Sequence, residues 1–296
     1  MRALFYCDGV TDLISESGFI NLNKPAGMSS AAAVSRVRRV VGGPCGHMGT
    51  LDPLAVGVLP VAVGNASRLF GYLLDKEKVY RAVFRFGIGT DTLDSTGTVL
   101  HAGLPVPAQS EIEAALPALT GTLEQIPPAF SAKSVNGVRA YKLARRGEAP
   151  VLAAKTVRVR SFALLERVGE DGFAFRIACG GGTYIRSLAR DLAAACGTEA
   201  IMTELVREQS GPFRLENAVA PEELTAENWR EKLVPPDAAF DMPRLDFAGR
   251  EAQRLGWGQR LPFAGADGAY KLYLDGAFYG IAQACGGVLR AGTKLV

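Results

Sequence analysis

Between Gly46 and Arg68 an otherwise apolar run is interrupted by Gly46, Gly49, Pro53, Gly57, Pro60 and Gly64. Glycine opens backbone angles closed to other residues and proline removes a donor, so this density predicts a buried loop whose path is fixed. Inside it stands one acid, Asp52, followed by Pro53 and walled by Leu51, Leu54, Ala55 and Val56. An Asp before Pro in such a loop is by default a turn former. A carboxylate against an apolar wall is also costly unless it is paired or hydrogen-bonded. Arg186, at the edge of a helical apolar stripe, is a candidate partner. Such pairing favours the ionised carboxylate, the form that acts as a nucleophile.

The elements around this loop follow from periodicity. Ser29 and Ser30 cap a helix over Ala31 to Val41 that Gly42 ends, with Val34, Val37 and Val41 on its inner face and Arg36 and Arg39 outward. Val79 to Ile88 alternates with period two, placing Tyr80, Ala82, Phe84, Phe86 and Ile88 on one side and Arg81 and Arg85 on the other. Ser110 to Leu119 reads as a short helix, and Gly121 with Pro127-Pro128 opens a long loop. Strands are expected over Thr156 to Arg167 and Phe173 to Cys179, then a helix over Thr183 to Cys196 carrying Ile185, Leu188, Ala189, Leu192 and Ala193 on one stripe. The triplet Gly180 to Gly182 before that helix offers free N–H groups to an anion, or simply makes a tight turn. Asp275-Gly276 joins a late hairpin, Tyr270 to Leu274 with Ala277 to Ala282. Strands and helices mix without strict alternation, so the fold class is α+β with a mixed, largely antiparallel sheet flanked by helices. The shift in composition at Val234-Pro235-Pro236 divides the chain into a main domain, 1–240, and a small C-terminal β-rich domain, 241–296.

Composition narrows the function classes. The apolar stretches are broken well before the roughly 20 residues a bilayer demands, and Met1 to Thr11 is too short for a signal segment, which predicts a cytoplasmic protein. Five separated cysteines and two distant histidines, His47 and His101, fit neither a disulfide framework nor a metal site. Phosphate-loop, metalloprotease and nucleophile-elbow signatures are absent. Lys133 to Arg160 holds eight basic residues against the single acid Glu148. A solvated face and a phosphate-backbone surface both account for that run.

Read together, these blocks resemble the bacterial TruB family of tRNA pseudouridine synthases. The resemblance rests on residues 23–30 (NKPAGMSS), 46–60 (GHMGTLDPLAVGVLP), 78–81 (KVYR), 90–94 (TDTLD), 127–137 (PPAFSAKSVNG) and 182–186 (GTYIR), in family order. It implies the pseudouridine synthase fold with a small PUA-like C-terminal domain, and isomerisation of the TΨC-loop uridine of tRNA with no cofactor and no metal. It further implies Asp52 as the catalytic nucleophile, Arg186 as its ion-pair partner, and Tyr80 as the ring that stacks on the flipped base and takes part in proton removal from C5. Lys24, His47, Asp94, Tyr184 and Leu205 match pocket positions, Leu205 being equally readable as core. The basic segment resembles the family's RNA-binding insertion, at about 125–155, with Lys133, Arg139 and Tyr141 as contacts. Implied partners are the T stem-loop of tRNA, without guide RNA or membrane, to a monomer. Two departures are Met48, where Thr or Ser is more familiar, and Leu205-Val206-Arg207 in place of Leu-Arg-Arg. The rival readings are an RNA-binding or RNA-folding protein, a synthase acting on another RNA, and a nucleotide-dependent enzyme.

Overall fold

In the computed structural model, which describes residues 16–74, 76–131, 133–135, 137–144, 146–148 and 152–295, the long strands collect in one ten-stranded sheet. Its order is Leu233–Val234, Gly18–Lys24, Val56–Val63, Ala200–Ser210, Lys78–Phe86, Gly172–Cys179, Lys155–Val168 and Gly121–Gln125. Two short strands, Cys45–His47 and Phe213–Arg214, pair beside this path. Every pairing is antiparallel except that of Ala200–Ser210 with Val56–Val63, which makes the sheet mixed and largely antiparallel.

Helices Ser30–Val41 and Ile185–Ala195 lay their apolar stripes on one face of this sheet. Val34, Val37, Leu188 and Leu192 share a core with Phe84, Phe86, Phe173 and Phe175, each buried aliphatic side chain contributing about 1.5–3 kcal/mol. The first helix begins as its sequence predicts: the Ser29 hydroxyl accepts from the Ala32 N–H, and Gly42 closes it at φ 73°. On the opposite face Arg81, Arg85 and Arg176 stand outward, paired with Glu166, Asp171 and Glu208 at 2.7, 2.7 and 3.0 Å. Exposed pairs of this kind contribute little, and their use here is to keep that face solvated.

A second, five-stranded sheet follows in the order Arg244–Phe247, Gly268–Leu274, Ala277–Cys285, Val288–Lys294, Leu261–Pro262. The hairpin turn lies where expected, with Asp275 and Gly276 both at positive φ. This sheet docks on the back of the Val56–Leu69 region. Ile281 and Leu295 join Phe19, Leu69, Phe213 and Phe240 in a separate core, and Asn65 and Arg68 donate to the carbonyls of Leu295 and Lys294 at 2.8 and 3.0 Å.

Several elements differ from the sequence reading. The expected buried loop over Gly46 to Arg68 is two strands around the 48–55 loop, followed by a 3-10 turn, Gly64–Leu69. Gly57 sits in a strand because its φ is 102° and an added Cβ would stand 2.4 Å from the Arg207 carbonyl oxygen. Ile88 leaves the Tyr80 strand: Gly87, at φ 80°, breaks it, and Ile88–Thr90 pairs instead with Val99–Ala102. Gly121 opens an edge strand rather than a loop. The Gly180–Gly182 triplet makes the tight turn, since the helix starts only at Ile185. The basic run divides. Its first part forms the hairpin Ser134–Val135 with Val138–Arg139 and the helix Ala140–Ala144, whereas Lys155, Arg158 and Arg160 stand on a sheet strand where Arg160 pairs with Glu77 at 2.8 Å. Asn136, Arg145 and the Arg139 side chain lie outside the described residues. No helix among the described residues is long and apolar enough to cross a membrane.

Candidate active site

The loop that carries Asp52 is pinned from three sides. From the first helix, the Ser30 hydroxyl both accepts from the Leu51 N–H and reaches the Leu51 carbonyl, at 2.8 Å each. From the first strand, the fully buried Lys24 ammonium donates to the carbonyls of Pro25, Met28 and Pro53 at 2.8, 2.7 and 3.3 Å. From the central strand, Arg207 donates to the carbonyls of Val58, Gly49 and Thr50 at 2.7, 3.1 and 3.4 Å. A carboxylate on a surface loop would wander. Here its backbone is fixed by cations and a hydroxyl.

Arg186 stands in the first turn of the Ile185–Ala195 helix and is 5% exposed. Its Nε and Nη2 approach the two Asp52 oxygens at 2.9 and 3.0 Å, a bidentate pair, while the Asp52 side chain stays 32% exposed. The rest of the guanidinium is also engaged. Nη1 donates to the Thr92 carbonyl at 2.8 Å and lies 3.5 Å from Asp94, and Nη2 reaches the Phe130 carbonyl at 3.1 Å. Asp94 is buried and its Oδ1 accepts from Thr92 Oγ1, Thr96 Oγ1 and the Thr96 N–H at 2.8, 2.6 and 3.0 Å. Leu93, at φ 62°, spends backbone strain to aim it. The helix start is held by Gln125, whose side chain accepts from the Tyr184 N–H at 2.8 Å and donates to the Tyr184 carbonyl at 3.1 Å.

Tyr80 is buried on the sheet face beneath this pair. Burial raises the pKa of its phenol, while the charge of the Arg207 guanidinium pulls the other way, and Asp52 and Cys179 are also within electrostatic reach. The Tyr184 phenol is likewise raised by burial. His47 ends the Cys45–His47 strand, with its Nδ1 buried and unpartnered, and burial lowers its pKa. Among the described residues no group of three or more His, Cys, Asp and Glu is placed to hold a metal ion.

The structure thus brings Asp52, Arg186, Asp94, Tyr80 and Lys24 into one cluster, with His47 and Tyr184 at its margin. Leu205 is buried in the main core. Met48, the departure beside the Asp52 loop, is buried in the core shared with the second sheet. Lys133 and Tyr141 belong to the hairpin–helix segment, where the Ala140 N–H donates to the Lys133 carbonyl at 2.7 Å and the Tyr141 N–H to the Ser131 carbonyl at 3.1 Å. Sequence reasoning missed Arg207, which is among the largest fully buried side chains.

Lys24 supplies a measurable signature. Burial lowers its pKa to about 8 from the ordinary 10.5, the Arg207 charge adding to the fall and Asp52 opposing it. The cost of burying the cation is fully present below the folded pKa and is relieved as pH rises through it. Wild-type protein should therefore gain stability relative to Lys24→Met as pH rises from about 8 towards 10.5. Denaturant titrations at a series of pH values check this; a constant difference between the two proteins would sink it.

Known proteins resemble this chain over most of its length. Residues 38–185 match the model of the TruB family pseudouridylate synthase N-terminal domain, and residues 186–241 that of the tRNA pseudouridylate synthase B C-terminal domain. The boundary between them is not structural, because the Ala200–Ser210 strand lies at the centre of the main sheet. Proteins called tRNA pseudouridine synthase B from Acaryochloris marina and Thermobifida fusca are 41% and 42% identical over 280 residues, covering 92% and 90% of this chain and 96% and 94% of theirs. Among solved structures, a Cbf5-Nop10-Gar1 complex contains a chain with TM-score 0.71 and 22% identity, covering 97% of this chain and 87% of its own, which is a likeness of fold.

Proposed function

The chain belongs to the TruB family of pseudouridylate synthases, and from that premise we propose that it isomerises the uridine at position 55 in the TΨC loop of tRNA to pseudouridine. The observation that carries this reading is the bidentate grip of buried Arg186 on a carboxylate that keeps a third of its surface open. A carboxylate used on a substrate must be aimed and still reachable.

In this reading the uridine leaves its stack and enters the pocket, at a lower cost from a loop than from a duplex. Asp52 helps break the bond between the ribose C1′ and N1. The freed uracil turns and rejoins through C5, losing the C5 proton while N1 takes one up, so the reaction is redox-neutral and uses no second substrate. Tyr80 stacks on the base and serves proton removal at C5. Lys24, Asp94, Tyr184, His47 and Leu205 shape the pocket. Lys133, Arg139 and Tyr141, on the insertion whose root at Phe130 also touches Arg186, grip the RNA. The unit 1–240 performs the chemistry, and the sheet of 241–296 serves as a PUA-like RNA-binding domain. The protein works in the cytoplasm as a monomer without guide RNA.

A transcript of tRNA labelled with [5-³H]uridine tests this. Tritium is expected to leave from one position, mapped to the TΨC-loop uridine, and not from a transcript with cytidine there. Release from another position would refute the substrate, and tight binding without release would favour an RNA-binding protein.

A further inference from the structure

Arg207 is 1% exposed, and its guanidinium is held by backbone carbonyls rather than by a carboxylate. Burying a cation in this way is expensive, and an apolar side chain would fill the same volume without that cost. Its position gives the charge a use. On the central strand Arg207 pairs with Gly57 on one side and Tyr80 on the other, and residues directly opposite in a ladder project to the same face. Gly57 leaves no room for a Cβ against the Arg207 carbonyl, so the arginine backbone is fixed in place. From there the side chain runs under the loop, taking the carbonyls of Gly49 and Thr50, three and two residues before Asp52, while its charge acts on the Tyr80 phenol, its neighbour across the ladder. One group thus holds the backbone before Asp52 and stands beside Tyr80 on the same sheet face.

We propose that Arg207 is a positioning residue for the isomerisation, setting the height of the Gly49–Asp52 segment against the neighbouring Tyr80 ring, so that nucleophile and ring meet the uridine in register. The inference rests on the function proposed above. Arg207 touches neither the base nor the ribose, and it acts through Asp52 and Tyr80.

The test compares wild type, Arg207→Lys and Arg207→Ala by single-turnover tritium release at saturating tRNA, tRNA affinity and thermal melting. A displacement of about 1 Å in such a site costs on the order of 100-fold in rate. Arg207→Lys, which keeps the charge but not the planar fork, should lose about that much of its rate constant, with affinity unchanged within about threefold. In Arg207→Ala, millimolar guanidinium should restore at least about tenfold of the lost rate, as expected where the missing group acts by orienting its neighbours. A purely structural arginine would lower the melting temperature and the fraction of active protein without changing the rate of the folded fraction. Wild-type rate in Arg207→Lys, or loss wholly in affinity, overturns the inference. Should the alanine variant not fold, the lysine variant decides alone. An inactive wild type would refute the proposed function instead, so the two failures are distinguishable.

Discussion

Asp52→Asn is expected to abolish tritium release, by at least about 10³-fold, while tRNA affinity and melting temperature stay close to wild type. Asparagine matches aspartate in shape and keeps one oxygen for the Arg186 Nη2 bond, now 3.0 Å. It removes the negative charge, and with it the ability to act at the ribose carbon. The fold should tolerate the change for two reasons. The Asp52 side chain is a third exposed, and Arg186 retains the Thr92 and Phe130 carbonyls and the Asp94 carboxylate. Filter binding and melting curves run beside the release assay separate chemistry from folding. Release within about tenfold of wild type would show that Asp52 is not the nucleophile.

How much of this site was legible in the sequence depended on what each residue does to its neighbours. The Asp52–Arg186 pair was readable because two polar groups each stood against apolar surroundings, a local cost that only a partner relieves. The first helix, the hairpin at Asp275-Gly276 and the Phe173–Cys179 strand were readable from caps, turn chemistry and period two. The Val56–Val63 strand was not, because Gly57 and Pro60 look like loop residues. Gly57 is required by the close approach of the Arg207 backbone, a tertiary fact with no local signature. Pro60 pairs opposite Asn21, and its carbonyl accepts from Met48 N–H in the side pairing. Arg207 escaped for a different reason. In Leu205-Val206-Arg207 period two sets Arg207 on the same face as buried Leu205, a placement that the charge of the residue hid. Density of charge along the chain does not say on which element each residue stands: the basic run spans a hairpin, a helix and a sheet strand, where Arg160 pairs with Glu77.

Arg186→Met should fail in both respects at once. The side chain it replaces is 5% exposed and makes two bonds to Asp52, one contact with Asp94 and two bonds to carbonyls. Removing one partner of a buried pair leaves the other as an uncompensated charge, at a cost of about 3–5 kcal/mol. Here the orphan is Asp94, which is buried, whereas Asp52 can turn toward solvent. A loss of that size lowers the melting temperature of a chain this long by about 10 °C. Activity should vanish as well, because Asp52, the proposed nucleophile, loses the fork that aims both its oxygens. Arg186→Lys separates the two effects. A lysine ammonium restores one charge at one point, so it can relieve either carboxylate but cannot hold Asp52 bidentately. Stability should recover in part, while the single-turnover rate remains down by on the order of 100-fold. Melting near the wild-type temperature in Arg186→Met would show that the buried charges are satisfied by other means. A fully active Arg186→Lys would show that a positive charge beside Asp52 is enough and that the bidentate geometry is incidental to catalysis.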